Sequence, residues 1–219
     1  ICKAGNSDLA WLVTAEAMQV YGGYGYCSDY PVEQLARDSK ILSLYEGTNG
    51  IQSIDLMTRK LLMNREQYSY NVFKRRIQKA IEEAKGVVDY KYISPLVRGI
   101  DKMDEIIDFL MKHLASGRLM QIFINATPLR EAMTMLAHAW LHLWSLTVAT
   151  KKMRELVGTL KGEERDKFLH ENLEAAFYSG KVLASQYYIG AYFHNYFGKA
   201  ESILAEETAV IKSTDAIYT

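Results

Sequence analysis

A carboxylate lies in a turn-forming run at residues 45–49, which reads Tyr-Glu-Gly-Thr-Asn. A positioned glutamate can act as a general base, so Glu46 is the candidate catalytic residue. Gly47 allows the backbone to approach a ligand without a Cβ in the way, which makes it a candidate substrate-binding residue. For this turn taken alone the simpler reading is favoured, because a carboxylate near a helix N-terminus is stabilised by the helix dipole and can be otherwise inert.

The three residues after this pair predict the start of a helix, with Thr48 or Asn49 as its cap. Free N–H groups at a helix start suit an anion such as a diphosphate. Thr48, Asn49 and Gly50 are therefore candidate cofactor-binding residues, and capping alone is the simpler use of the same residues.

A second candidate site lies upstream, where a helical pattern from about Asn6 stops at two glycines. Its members are Gln19, Val20, Tyr21, Gly22 and Gly23. A helix end stopped by glycines exposes backbone that a dinucleotide can approach, although a Gly-Gly stop is by itself more often only a C-terminal cap. After a Gly- and Tyr-rich loop, Pro31 predicts a short helix through Arg37.

Several of these elements occur in a fixed order: Met18–Tyr26, Asp29–Leu35, Arg37-Asp38 and the run at 45–49. In order and spacing they resemble the C-terminal signature of the acyl-CoA dehydrogenases, over roughly residues 8–62. The version Tyr-Glu-Gly-Thr-Asn-Gly-Ile-Gln is most similar to long bacterial-type members that carry an extra C-terminal helical domain. A Glu in this context favours a dehydrogenase over the acyl-CoA oxidases and nitroalkane oxidases of the same superfamily.

The resemblance implies an FAD-dependent enzyme that desaturates an acyl-CoA thioester between its α and β carbons. Glu46 would remove the α-proton, while the thioester carbonyl is hydrogen-bonded by the flavin ribitol and by the amide of the base itself. The hydride would pass to the flavin. Residues 19–23 would reach the FAD of a neighbouring subunit. The implied partners are an acyl-CoA substrate, an electron-transfer flavoprotein and further copies of the chain in a homo-oligomer.

The sequence departs from the family at one of these positions. The better-known members carry Gln where this chain has Gly50, so a side-chain contact with the cofactor is lost and only a backbone contact could persist.

Net charge and cysteine content bear on the partners and the location of the protein. The 219 residues carry no net charge, which leaves no basic excess for binding nucleic acid. The only two cysteines, Cys2 and Cys27, form no disulfide framework, so a cytoplasmic location is the default. Ile1 begins inside helical sequence, which predicts a C-terminal fragment of a longer enzyme. We expect the fragment alone to be inactive and flavin-free.

The hydrophobic periodicity predicts an all-α fold in two parts: residues 1–66 as the C-terminal part of the catalytic core, and residues 67–219 as an antiparallel bundle. Within the bundle, Ser94-Pro95 predicts a helix start, and Thr127-Pro128 predicts a break or kink. A long helix is expected over residues 163–197, followed by a tail helix over residues 199–212.

Two uncharged runs, residues 132–150 and 182–198, are expected to be central helices of the bundle, buried on several sides. Their polar residues argue against a membrane span. His138 and His142 are four apart, but two ligands are too few for a zinc site, and no metal is expected. The alternative function is a non-catalytic helical module for assembly or membrane association.

Overall fold

The computed structural model describes residues 1–217, which contain no β-strand. The prediction of an all-α fold is confirmed. The α-helices are α1 (Cys2–Tyr21), α2 (Gly23–Tyr26), α3 (Pro31–Ile41), α4 (Asn49–Asp55), α5 (Tyr68–Ala84), α6 (Tyr90–Ala115), α7 (Leu119–Phe123), α8 (Ala126–Val157), α9 (Gly162–Glu171), α10 (Leu173–Gly190) and α11 (Asn195–Leu204). Short 3₁₀ helices occur at Arg65–Gln67, Tyr192–His194, Ala209–Lys212 and Asp215–Ile217.

The chain forms two compact units. The first comprises Ile1–Gln67, Leu110–Thr134 and the described residues from Glu206 onward, and the second comprises Tyr68–Phe109 and Met135–Ala205. The change of unit at residues 67 and 68 lies close to the boundary predicted at residue 66. Because the first unit also takes in later segments, the division into two functional domains stays a prediction.

In the first unit α1 packs along α3, and both helices are longer than predicted. Helix α1 starts at Cys2 rather than near Asn6. Ser7 lies inside the helix, where its hydroxyl donates to the Ala4 carbonyl (3.1 Å). Helix α3 continues beyond Arg37 to Ile41. The longer α1 brings its first two turns to the turn at Glu46.

The helix that follows this turn differs from the expected regular helix. It starts at Asn49, as predicted, and ends as an α-helix at Asp55. Residues Leu56–Leu62 then continue it as a π-helix. A π-helical stretch shifts the register of the side chains by one residue, and π-bulges are frequent at functional sites.

In the second unit α5 and α6 each bury one apolar stripe. The predicted helix start at Ser94-Pro95 is wrong, since α6 begins at Tyr90 and contains Pro95. Asp89 supplies the cap, because its carboxylate accepts a hydrogen bond from the Lys91 N–H (2.9 Å).

The break expected near Thr127-Pro128 lies just upstream, and Pro128 falls in the first turn of α8, where proline is tolerated. The long helix predicted over residues 163–197 is wrong, because Asn172 ends α9 and caps α10 through the Ala175 N–H (3.0 Å). Helix α10 in turn ends at Gly190. The predicted tail helix stops early, at Leu204.

The first uncharged run, residues 132–150, is buried on several sides as expected and leaves one apolar face exposed. The second run, residues 182–198, buries only one side, so for this run the expectation is wrong. On α8 the exposed residues Leu141, Trp144 and Val148 are spaced as one helix face. Leu183 and Tyr187 of α10 are also exposed. None of the helices within residues 1–217 is both long enough and apolar enough to cross a membrane.

Candidate functional site

The turn that carries Glu46 has a left-handed backbone at two successive residues. Glu46 has a φ of 54° and Gly47 a φ of 83°. For a non-glycine residue such a conformation costs on the order of 1–3 kcal/mol, and residues held in it cluster at functional sites. The Glu46 side chain is exposed.

Three hydrogen bonds hold this turn. The side-chain amide of Gln52 donates to the Glu46 carbonyl (3.1 Å), and the Lys3 ammonium donates to the Gly47 carbonyl (2.7 Å). The Asn49 N–H donates to the Ser43 carbonyl (3.1 Å), which closes the loop between α3 and α4. The carbonyls of both Glu46 and Gly47 are therefore fixed by side chains, one from α4 and the other from α1.

Asn49 fixes the start of α4 to α1. Its side-chain N–H₂ lies within hydrogen-bond distance of three acceptors on α1: the Ala4 carbonyl (3.1 Å), the Ser7 hydroxyl (2.8 Å) and the Asp8 carboxylate (2.7 Å). Its side-chain oxygen accepts from Lys3 (2.9 Å). The asparagine side chain thus has a structural use, and sequence reasoning missed its partners because they lie more than 40 positions away.

The predicted cofactor contacts at Thr48, Asn49 and Gly50 stay a prediction. Thr48 is the cap of α4, as expected, with its hydroxyl accepting from the Ile51 N–H (3.4 Å). The Asn49 N–H is bonded to Ser43. Two N–H groups at this helix start are therefore already engaged within the chain.

The second predicted segment, Gln19, Val20, Tyr21, Gly22 and Gly23, is exposed throughout at the C-terminal end of α1. Gly22 has a φ of 62° and donates its N–H to the Gln19 carbonyl (3.1 Å). A Cβ added at Gly22 or Gly23 would meet nothing within 4 Å, so their backbone faces open space. That opening fits a group that must approach the main chain, as FAD would.

The structure does not bring the two predicted segments together. The Glu46 turn is bonded to the first two turns of α1, whereas Gln19 lies in its last turn. At 1.5 Å per residue, α1 rises roughly 22 Å between Ala4 and Gln19. The two segments therefore lie at opposite ends of α1, and the contact of residues 19–23 with a cofactor stays a prediction.

A groove of about 740 Å³ lies between α1 and α3. The Lys40 ammonium lies 5.7 Å from the centre of the Trp11 ring at this groove. The other lining residues are Met18, Tyr26, Ser28, Glu33, Ala36, Arg37, Ile41 and Leu44. The sequence analysis missed this groove.

A buried arginine, also missed, lies in the same unit. Arg130 of α8 is only 4% exposed. Its guanidinium is paired with the Asp8 carboxylate at 2.9 Å and donates to the Ser53 hydroxyl at 3.3 Å. Thr127-Pro128 drew attention to this region as a break, but nothing in the local pattern marks the arginine as buried.

The two histidines considered as metal ligands lie in the second unit. His142 Nδ1 is 3.2 Å from the Ser185 hydroxyl, and its ring stacks on Tyr188 with 4.3 Å between the ring centres. Burial lowers the pKa of both His138 and His142. Across residues 1–217, no three His, Cys, Asp or Glu side chains are grouped to hold a metal ion.

Two family models match the chain. The one described as "Acetyl-CoA dehydrogenase C-terminal like" matches residues 73–213, and the one described as "Acyl-CoA dehydrogenase, C-terminal domain" matches residues 1–61. The first covers more than half of the chain and the second contains the Glu46 turn. The chain therefore belongs to the acyl-CoA dehydrogenase family, which confirms the resemblance found in its sequence.

Named relatives agree with this placement. The chain is 31% identical to a butyryl-CoA dehydrogenase of Syntrophomonas wolfei over 219 residues, all of this chain and 33% of that protein. It is 56% identical to an acyl-CoA dehydrogenase of Bacillus subtilis over 54 residues, 25% of this chain and 14% of that protein. A short-chain-specific acyl-CoA dehydrogenase of Megasphaera elsdenii is 54% identical over 52 residues, 24% of this chain and 14% of that protein. The chain thus spans at most about a third of the length of these relatives.

Proposed function

We propose that these 219 residues supply the C-terminal part of an FAD-dependent acyl-CoA dehydrogenase, in which Glu46 is the base that removes the α-proton of the thioester. The observation that carries the proposal is the backbone at Glu46. Glu46 lies in the left-handed region and is followed by Gly47 at a φ of 83°. Hydrogen bonds to the carbonyls of both residues fix the turn, which presents the exposed Glu46 carboxylate.

The carboxylate needs help, because the α-carbon of a thioester is a weak acid. Hydrogen bonds to the thioester carbonyl supply it by stabilising the negative charge that develops there. We propose the Glu46 N–H as one such donor. Gly47, the next residue, leaves space for the substrate because it has no side chain. Once an acyl chain excludes water from the site, desolvation raises the pKa of a carboxylate and makes it a stronger base.

Residues 19–23 and 48–50 would hold the FAD, the first set from a neighbouring subunit. Hydride acceptance from the β-carbon is the chemistry that a bound FAD would supply. A homo-oligomer follows from this sharing of the site, since residues 19–23 lie roughly 20 Å along α1 from the Glu46 turn. We further propose reoxidation by an electron-transfer flavoprotein, and a cytoplasmic enzyme, which the two free, exposed cysteines fit.

The test is the turnover of Glu46→Gln in the full-length enzyme with butyryl-CoA and an artificial electron acceptor. Butyryl-CoA is chosen because two relatives that match 100% and 96% of this chain are named for it. The amide keeps the shape of the side chain but cannot take a proton, so kcat should fall by about 10²–10⁴-fold, the usual contribution of a general base.

The matched control is Glu66→Gln. Glu66 is also an exposed glutamate with a left-handed backbone, at a φ of 53°, and has no proposed role in the chemistry. Its substitution should leave kcat within twofold of the parent enzyme. Turnover of Glu46→Gln within tenfold of the parent would place the base elsewhere.

A further inference from the structure

Arg130 is a buried charge linked to the Glu46 turn through other residues. It projects from the second turn of α8 and is 4% exposed. A buried guanidinium is tolerated only when its donors are matched by acceptors. Arg130 has three such neighbours: Asp8 at 2.9 Å, Glu131 at 3.6 Å and the Ser53 hydroxyl at 3.3 Å.

One route from Arg130 to the turn runs through side chains. The second oxygen of the Asp8 carboxylate accepts from the Asn49 side-chain amide (2.7 Å). The Asn49 side-chain oxygen accepts from the Lys3 ammonium (2.9 Å), which also donates to the Gly47 carbonyl (2.7 Å). An unbroken series of polar contacts therefore joins Arg130 to the residue after Glu46.

A second route runs through the backbone of α4. Arg130 Nε donates to the Ser53 hydroxyl, and that hydroxyl donates to the Asn49 carbonyl (2.7 Å). Ser53 is fully buried, so no water molecule can take the place of Arg130 as the hydrogen-bond donor to its hydroxyl. The two routes meet at Asn49, one on its side chain and the other on its carbonyl, two residues after Gly47.

The residue types in this network are suited to it. An arginine presents several donors in a rigid planar fork and can bind Asp8 and Ser53 together, whereas a lysine has a single charged centre. Gly5 allows α8 to come close to α1, because a Cβ there would lie 2.7 Å from the Thr134 side chain. Arg130 also lies within residues 73–213, which match a different family model from the one containing the turn.

We infer that Arg130 is a positioning residue for Glu46: it fixes Asp8 and Ser53, and through them holds Asn49 and the Glu46–Gly47 turn in the conformation needed for proton removal. The start of α8 thereby supports the turn that carries Glu46. This inference rests on the proposed role of Glu46 as the base.

The direct test is amide hydrogen exchange of the whole 219-residue chain, followed by mass spectrometry of peptides covering residues 44–52. In Arg130→Met, which replaces the charge by an apolar side chain, exchange in these peptides should be at least tenfold faster. Arg130→Lys should lie between Arg130→Met and the unchanged chain, because a lysine can restore only part of the network. Unchanged exchange in Arg130→Met overturns the inference.

The control is Leu136→Ala, which removes a fully buried side chain elsewhere on α8 that has no polar atoms. It should lower the melting temperature without faster exchange at residues 44–52. If Arg130→Met does not fold, Ser53→Ala removes the second route alone and should also speed exchange there. Equal exchange at residues 44–52 in Leu136→Ala and Arg130→Met would mean that Arg130 is only structural, and would overturn the inference.

Kinetics of the full-length enzyme separate this inference from the proposed function. Arg130→Met should lower kcat at least tenfold with the KM for butyryl-CoA changed less than threefold, because substrate binding remains while the base is misplaced. If Glu46→Gln abolishes turnover but Arg130→Met keeps the parent kcat, Glu46 remains the base and the positioning role is wrong. If Glu46→Gln keeps turnover, both assignments fall.

Discussion

Gly47→Ala is the substitution whose effect the structure specifies in most detail. Two costs arise at this position. The backbone φ of 83° lies in the left-handed region, where an L-residue with a Cβ is disfavoured by about 1–2 kcal/mol. The new Cβ would also lie 2.9 Å from Gln52 Nε2, the atom that donates to the Glu46 carbonyl. The end of the Gln52 side chain must therefore move, and we expect the shift to break this hydrogen bond.

A hydrogen bond of this kind contributes about 0.5–1.5 kcal/mol. Gly47→Ala should thus destabilise the chain by roughly 1.5–3.5 kcal/mol, the sum of the two costs. Gly86→Ala provides the comparison. Gly86 has a similar φ of 74°, but a Cβ there meets nothing within 4 Å, so only the backbone cost of about 1–2 kcal/mol applies.

Urea unfolding of the 219-residue chain, followed by circular dichroism at the helical band, measures both free energies. A double-mutant cycle with Gln52→Ala isolates the shared contact. Because Gly47→Ala and Gln52→Ala lose the same hydrogen bond, the double variant should cost about 1 kcal/mol less than the sum of the two. Simple additivity, or a Gly47→Ala cost no larger than that of Gly86→Ala, would refute the role of Gln52 in holding the turn.

Three further predictions concern stability and cofactor. Burial lowers the pKa of His142 in the fold, so the unfolded chain binds more protons; unfolding free energy should fall as pH drops below about 6.5, and His142→Gln should weaken that dependence in urea titrations between pH 5 and 8. Tyr196→Phe removes the buried hydroxyl that donates to the Gly99 carbonyl (2.7 Å) and should cost about 0.5–1.5 kcal/mol in urea unfolding, whereas Tyr188→Phe, with a 3.4 Å bond at a half-buried site, should cost less. The 219-residue chain purified alone should carry no stoichiometric flavin, and a flavin absorbance spectrum with one FAD per chain would contradict this.

The fold class and the turn could be predicted because their signals are local. An amphipathic stripe repeats within one helix, and the turn needs only a glycine next to a cap residue. Helix ends were less predictable wherever two cap signals competed. Asp89 prevailed over Ser94, and Asn172 ended a helix that the apolar pattern continued.

The partners of the turn could not be predicted for a different reason. Lys3 lies 44 positions from Gly47 along the sequence, and Arg130 lies 83 positions from it. The residues next to Gly47 therefore give no indication of either partner. Arg130 is buried one turn before Thr134, which packs closely against Gly5. Such contacts follow from tertiary packing, which no periodic pattern encodes.

The most direct test of Glu46 as the base is exchange of the substrate α-hydrogens with solvent. Full-length enzyme is incubated in D₂O with butyryl-CoA, and deuterium entering the α-carbon is followed by mass spectrometry. We predict that Glu46→Gln exchanges at least about 100-fold more slowly than the parent and Glu66→Gln, at equal bound flavin. Exchange by Glu46→Gln at the parent rate would contradict the account.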